Sequence, residues 1–269
     1  MMMIKKKDID AKEVRKLVIQ QSYRANIGHI GSALSIVDIL AALYSSVIQL
    51  DDIKSNNRDR FILSNGHTSL ALYVVLHLLG IITEVQLNSF CTDGSVLGVH
   101  PDIAIPGIDF CTGSLGQGIT YAAGAALAAR MQHSNRRVYT IISDAECNEG
   151  SVWEAAMFAS QQKLANLVVT IDLNGQQAMG YTKDVLNLSP MADKWKTFGW
   201  DVHSVDGNDF NSLVDVYNSL DTKSGSPHLI VAKTLFGKGV SFMEKQIKWH
   251  YMPLNSEQYQ QALAEIESH

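Results

Sequence analysis

The chain has 269 residues, a formal net charge of −5 and 46% hydrophobic residues. That is apolar material for one large domain, or two at most. A weakly acidic chain with no basic cluster beyond the opening KKK gives no support to nucleic-acid binding. Mean hydropathy is near zero, and no run of about 20 apolar residues occurs to span a bilayer.

From the N-terminus, MMMIKKKDIDAKEV carries lysines but no apolar stretch after them, so it does not read as a secretory signal. Val14, Leu17, Val18 and Ile19 give helical periodicity. The loop ANIGHIGSALS follows, and a second helix is expected from Ile36 to Tyr44, with Ser35 and Asp38 placed to cap it. RDRFILSNGH reads as a short buried strand ending in a turn, and SLALYVVLHLLG as a helix closed by Gly80. Residues 90–113 show no clear element; a loop that long, mixing Gly, His, Pro and Cys, suggests an ordered site loop. GSLGQG then opens a helix of small residues, GITYAAGAALAARM. Strands are expected at about 137–142, 167–172, 200–204 and 228–233, with helices between them, and SEQYQQALAEIES reads as a terminal helix. This alternation predicts an α/β fold: a doubly wound, mainly parallel sheet with helices on both faces.

The chemistry gathers where strands end. Asp144 closes the run VYTII and Asn174 closes LVVTID, with one helical segment between them. Alone, Asp144 reads as a helix N-cap and Asn174 as an Asn-Gly turn. Together they place an oxygen ligand at the carboxyl ends of two parallel strands, where open α/β sheets bind ligands. A carboxylate and an amide oxygen are hard donors suited to Mg²⁺, which also takes phosphate oxygens and water. The spacing therefore predicts a Mg²⁺–diphosphate site.

Two histidines follow glycines in turns, His29 in NIGHIGS and His67 in SNGH. With His100 in GVHP and His250 in KWHY they form a constellation suited to phosphate or hydroxyl contact and proton transfer. His77 reads as a packed helix residue; His133, His203, His228 and His269 have no site context. GSLGQG has neither the GxGxxG spacing nor a P-loop lysine, so it is a close-approach loop of unspecified ligand. Glu149 and Glu154 read by default as a solvated face. Three widely spaced cysteines, Cys91, Cys111 and Cys147, with no CxxC pair, speak against a disulfide framework or a zinc site and for a reducing cytoplasm.

From about Val14 to Asn255 the chain resembles the N-terminal, thiamine diphosphate-binding segment of transketolase. GHIGSALS, LSNGHTSLALY, GVHP, TGSLGQG, SDAECNEG with its downstream LNG, and KTLFGKG with WH agree in order and spacing. The resemblance implies one PP-type domain over 1–269 with an N-terminal helical arm, binding thiamine diphosphate and Mg²⁺. Asp144, the Asn174 side chain and the Gln176 carbonyl would hold the metal. His67, His250 and the Ala145 amide would contact the diphosphate, and Gly113 and Leu115 would line the cofactor's rings. His29, His100 and His250 would face the substrate and handle hydroxyl protons, while Glu149 and Glu154 would form an acidic pair at a subunit interface. Ser143 and Ala145 stand where the family's GDG motif has glycines, and alanine does not easily take positive φ. Ala178 stands where the family often has a larger apolar residue.

Family enzymes carry further domains, the next of which supplies a glutamate to the aminopyrimidine ring. The chain therefore resembles the smaller subunit of a split transketolase. A partner C-terminal subunit with the pyrimidine-binding domain, sugar phosphate substrates and a self-dimer within a heterotetramer are expected. The implied reaction moves a two-carbon ketol unit from a ketose phosphate to an aldose. Alternatives are two-carbon transfer to a carrier protein or lipoyl arm, and a noncatalytic or regulatory binding subunit.

Overall fold

The computed structural model describes residues 8–50 and 52–268. The opening MMMIKKK, read above for a signal sequence, and His269 lie outside them. The strands are β1 (Arg60–Leu63), β2 (Val138–Ser143), β3 (Leu167–Leu173), β4 (Gln176–Gln177), β5 (Gly180–Tyr181), β6 (Asp201–Asp206) and β7 (His228–Lys233). Five of them form one sheet in the order β1-β2-β3-β7-β6, every pairing parallel. The four strands expected after residue 130 are all present; β2, β3 and β7 are largely β-branched and aliphatic runs that suit a sheet buried on both sides, while β6, DVHSVD, is a more polar edge strand.

Alternation along the strands divides the core in two. Phe61, Leu63, Tyr139, Ile141, Val168 and Ile230 face one layer; Ile62, Val138, Ile142, Val169, Ile171 and Leu229 face the other. Each such side chain contributes about 1.5–3 kcal/mol by leaving water.

The helices are α1 (Ala11–Ala25), α2 (Ile30–Ser35), α3 (Val37–Ala42), α4 (Ser69–Leu78), α5 (Glu84–Leu87), α6 (Gln117–Met131), α7 (Gly150–Gln161), α8 (Thr182–Val185), α9 (Met191–Thr197), α10 (Phe210–Ser219) and α11 (Ser256–Ser268). The first layer draws on α1, α3, α4, α10 and α11, and the second on α6, α7 and α9. Gly80 takes φ 74° just past α4, as its role in closing that helix requires. No helix among the described residues is long and apolar enough to cross a membrane.

Two local expectations are corrected. The second helix does not begin at Ile36: the chain turns at Asn26 (φ 53°) and is helical from Ile30, with α2 wholly buried. Burial outweighs the two glycines that made this stretch read as a loop. Nor do Ser35 and Asp38 cap α3, whose start at Ile36 has no side-chain cap. The Ser35 hydroxyl donates to Asp172 at 2.6 Å, and Asp38 accepts from Arg15 at 2.5 Å and Asn208 at 2.8 Å. Long-range partners took both side chains.

Residues 90–113 hold no strand or helix, yet they are pinned to the scaffold. Ser69 Oγ donates to the Val99 carbonyl at 2.7 Å, Tyr73 Oη to the His100 carbonyl at 2.9 Å, and Thr112 Oγ1 to the Leu63 carbonyl at 2.5 Å. The loop thereby carries His100 and Gly113 to the carboxyl end of β1.

Candidate active site

β2 and β3 lie side by side with Ser143 opposite Asp172, so their ends deliver two carboxylates to one corner. Asp144 is 2% exposed and Asp172 0%. Asp144 Oδ1 accepts from Ala145 N at 2.9 Å; its Oδ2 accepts from Gly175 N at 2.9 Å and Thr182 Oγ1 at 3.3 Å. The Gly175 contact fastens the Asn-Gly turn to the Asp144 carboxylate. Asn174 Nδ2 donates to Asp172 Oδ2 at 2.8 Å, and its Oδ1 accepts from Gln176 N at 2.9 Å. Asp172 also accepts from Thr234 Oγ1.

Burial, then the charge of Asp172, pushes the Asp144 carboxyl up to about 7, against the pull of its three hydrogen bonds. Burial raises Asp172 too. The hydrogen bonds found on these two carboxylates come from neutral donors. Adjacent acids in a dry corner without a cation are costly. Beside them Gln176 is 5% exposed, and both its side-chain polar atoms are buried without a partner. The donors here are oxygens, so the residues present fit a hard divalent cation.

The histidines meet next door. Ring centroids lie 5.3 Å apart for His29–His67, 5.1 Å for His29–His250 and 5.4 Å for His67–His250. His100 joins them by packing on Gly113: a Cβ there would sit 2.6 Å from the imidazole Cδ2. Burial, then His250, His29 and His100, lowers His67 to about 3. Burial and His29 lower His250 to about 4, and burial and His100 lower His29. At neutral pH these three rings are uncharged, and each can donate one hydrogen bond and accept another. His29 takes φ 61°, a left-handed conformation that costs a non-glycine residue about 1–2 kcal/mol, and its Nδ1 is buried without a partner.

Helix α2 joins the two groups. Ser32 and Ser35 are three residues apart on one face. Ser32 Oγ lies 3.3 Å from His250 Nδ1, while Ser35 serves Asp172. Gly66 is required where the His67 turn meets the glycine loop, since a Cβ there would sit 2.8 Å from Gly113 N, backbone against backbone.

Of the residues named from sequence, His29, His67, His100, His250 and Gly113 gather in one cluster, and Asp144, Ala145, Asn174 and Gln176 at the acidic corner. Leu115 is 36% exposed. Glu149 and Glu154 stand exposed at and just after the start of α7, the helix that also exposes Met157 and Phe158. Ala145 opens a short 3-10 turn without positive φ, and Ser143 Oγ accepts from Glu146 N at 3.1 Å. The two replaced glycines therefore cause no backbone strain. Ala178 is exposed, and its carbonyl accepts from Tyr251 Oη at 2.9 Å.

Two residues escaped the sequence reading. Glu146, 0% exposed, accepts from Ser64 Oγ at 2.5 Å, Gly116 N at 2.7 Å and Ser143 N at 3.2 Å, tying the β1 end and the glycine loop to the acidic corner. Asp172 lies inside the run LVVTIDL; a carboxylate within an apolar strand was the available signal. The β4–β5 hairpin that carries Gln176 was also missed, being only two residues per strand. A separate cavity of about 880 Å³, lined by Arg130, Arg137, Lys163 and Lys223 among others, includes none of these site residues.

A parallel sheet with buried acids and neutral histidines at its carboxyl ends has the ligand site of an α/β enzyme. The family described as transketolase, thiamine diphosphate binding domain, matches residues 5–266, and the chain belongs to it. It is 39% identical over 267 residues to one of the subunits of the apulose-4-phosphate transketolase of Phocaeicola vulgatus, across 98% of this chain and 95% of that one. It is 40% identical to the 6-deoxy-6-sulfo-D-fructose transketolase subunit SqwG of a Clostridium species, across 96% and 94%. Human transketolase is 34% identical over 96% of this chain, which spans only 41% of that protein. The crystal structure of transketolase from Campylobacter jejuni superposes with a TM-score of 0.89 at 31% identity, over 96% of this chain and 42% of the other. The expected fold and the resemblance are borne out, and the chain is a transketolase-type transferase subunit.

Proposed function

We propose that this chain is the coenzyme-holding subunit of a two-chain transketolase that moves a two-carbon ketol unit from a ketose phosphate to an aldose. The observation that carries this reading is the buried corner where the carboxylates of Asp144 and Asp172 meet only neutral donors, linked through α2 to three neutral histidines. Thiamine diphosphate, when bound, supplies the carbanion chemistry. This chain's residues bind, orient and move protons. Asp144, Asn174 and the Gln176 carbonyl would hold Mg²⁺. His67, His250 and the Ala145 amide would take the diphosphate, and Gly113 and Leu115 would border the rings. His29, His100 and His250 would hold substrate hydroxyls, and neutral imidazoles can both give and accept those protons.

Relatives of nearly the same length carry subunit names, which supports a second chain supplying the pyrimidine-binding domain. Glu149 and Glu154, beside the exposed apolar residues of α7, would lie in a self-contact, giving a dimer within a heterotetramer. On this reading residues 1–269 form one PP-type domain acting in the cytoplasm. The test is ketol transfer by the purified chain with and without its partner. Transfer only in the mixture, with thiamine diphosphate and Mg²⁺, is expected. Robust transfer by the single chain would sink the two-chain reading.

A further inference from the structure

At the opposite end of the sheet, β6 and β7 begin side by side, with Asp201 directly across from His228. His203 lies two residues after Asp201, on the same face of the strand. Three side chains therefore converge at the start of an edge strand. Asp201 Oδ2 is 3.0 Å from His228 Nδ1 and 3.1 Å from His203 Nε2, and one ligand atom from each residue lies within 4.8 Å of the others. The His228 side chain is fully buried, while those of His203 and Asp201 are 31% and 41% exposed.

The hydrogen positions are constrained. His228 Nε2 lies 3.1 Å from the Asp221 carbonyl oxygen, which can only accept, so Nε2 carries a hydrogen. That leaves Nδ1 to meet the carboxylate. A lone pair facing a carboxylate oxygen at 3.0 Å is repulsive unless a proton or a metal ion stands with them. A ring nitrogen donating to a backbone carbonyl is also the usual way a metal-ligating histidine is oriented and its free nitrogen made more basic. Ligands at about 2.0–2.1 Å around a tetrahedral ion are about 3.3 Å apart; Asp201 Oδ2 stands close to that from each ring nitrogen, and with all three ligand atoms within 4.8 Å of one another the two imidazoles can close around an ion.

We propose that Asp201, His203 and His228 form a second metal site, for a divalent transition metal of the zinc class, that fastens edge strand β6 to β7. Two imidazoles and one carboxylate favour Zn²⁺ or Co²⁺ over Mg²⁺. The partly exposed side leaves a fourth position for water. The absence of a CxxC pair spoke against a zinc site in the sequence, and the proposal departs from that expectation because this donor set needs no cysteine. The site stands at the amino ends of the strands, away from the acidic corner.

The test uses untagged, chelator-stripped chain kept in excess Mg²⁺, titrated with Zn²⁺ by calorimetry and with Co²⁺ by visible absorption. One equivalent should bind with a Kd of about 1 µM or tighter and raise Tm by several degrees. His203→Gln should weaken binding about tenfold or more, at least what loss of an outer partner costs. Asp201→Asn, in case His203→Gln misfolds, should do the same. Absence of Zn²⁺ binding overturns the proposal. So does Zn²⁺ binding of equal affinity in both variants, which would place the ion at the other histidines.

Discussion

The two ends of the sheet are built on opposite terms. At the amino ends, polar groups satisfy one another. Arg58 grips Asp109 with two hydrogen bonds at 3.0 and 2.6 Å, and Asp59 accepts from the amides of Gln49 and Arg137. At the carboxyl ends, His29 Nδ1 and the side-chain polar atoms of Asn65 and Gln176 are buried without partners, and Asp144 is held far above its ordinary value. Buried polar groups left unpaired cost stability in the free protein, so such a cluster marks a place where a ligand completes the structure. Polar density alone does not separate a structural end from a functional one; unmet bonding capacity does.

The sharpest way to break this contrast is Asp144→Asn. In the assembled enzyme, kcat/KM should fall on the order of 1000-fold, about 4 kcal/mol, through loss of a metal ligand. The free chain should not be destabilised. A carboxyl whose folded pKa is raised from 3.8 to about 7 contributes stability at low pH that is lost as pH rises through about 7. At pH 8 the asparagine removes a buried charge, so melting should show Tm unchanged or higher. Arg58→Ala should do the reverse. It leaves Asp109, 17% exposed in its side chain, without its main partner, at a cost of about 3 kcal/mol in urea unfolding, with coenzyme affinity intact.

Gly66→Ala sharpens the comparison at the pocket itself. The added methyl meets Gly113 backbone, and the expected cost is about 1–3 kcal/mol with weakened coenzyme binding. Gly124→Ala in α6, where a Cβ meets nothing within 4 Å, should instead stabilise by about 0.5–1 kcal/mol. The remaining effect is in pH. Below about pH 7 a cation must displace the Asp144 proton, so Mg²⁺ affinity should fall up to about tenfold per pH unit toward pH 5 and level off above pH 8. An affinity unchanged from pH 5 to 8 would remove Asp144 from the ligand set.

Much of this was legible in the sequence because β2, β3 and β7 are apolar, largely β-branched runs with polar residues at or just past their ends. Asp144 and Asn174 stood out as acid and amide at strand tips, and His29 and His67 as histidines after glycines in turns. What the sequence hid depends on partners far along the chain. Helix α2 reads as a glycine loop until its burial is seen. Ser35 reads as a cap until Asp172, 137 residues away, claims its hydroxyl. Glu146 looks like any acid in a first helical turn until Ser64 and Gly116 close on it.

The most direct measurement is thiamine diphosphate binding to the assembled enzyme by calorimetry, in excess Mg²⁺ and in EDTA, for the unmodified chain, Asp144→Asn and Asn174→Ala. Saturable binding that requires Mg²⁺ and disappears in both variants is the predicted result. Equal affinity in EDTA, or in either variant, would contradict the assignment of this corner as the metal–diphosphate site.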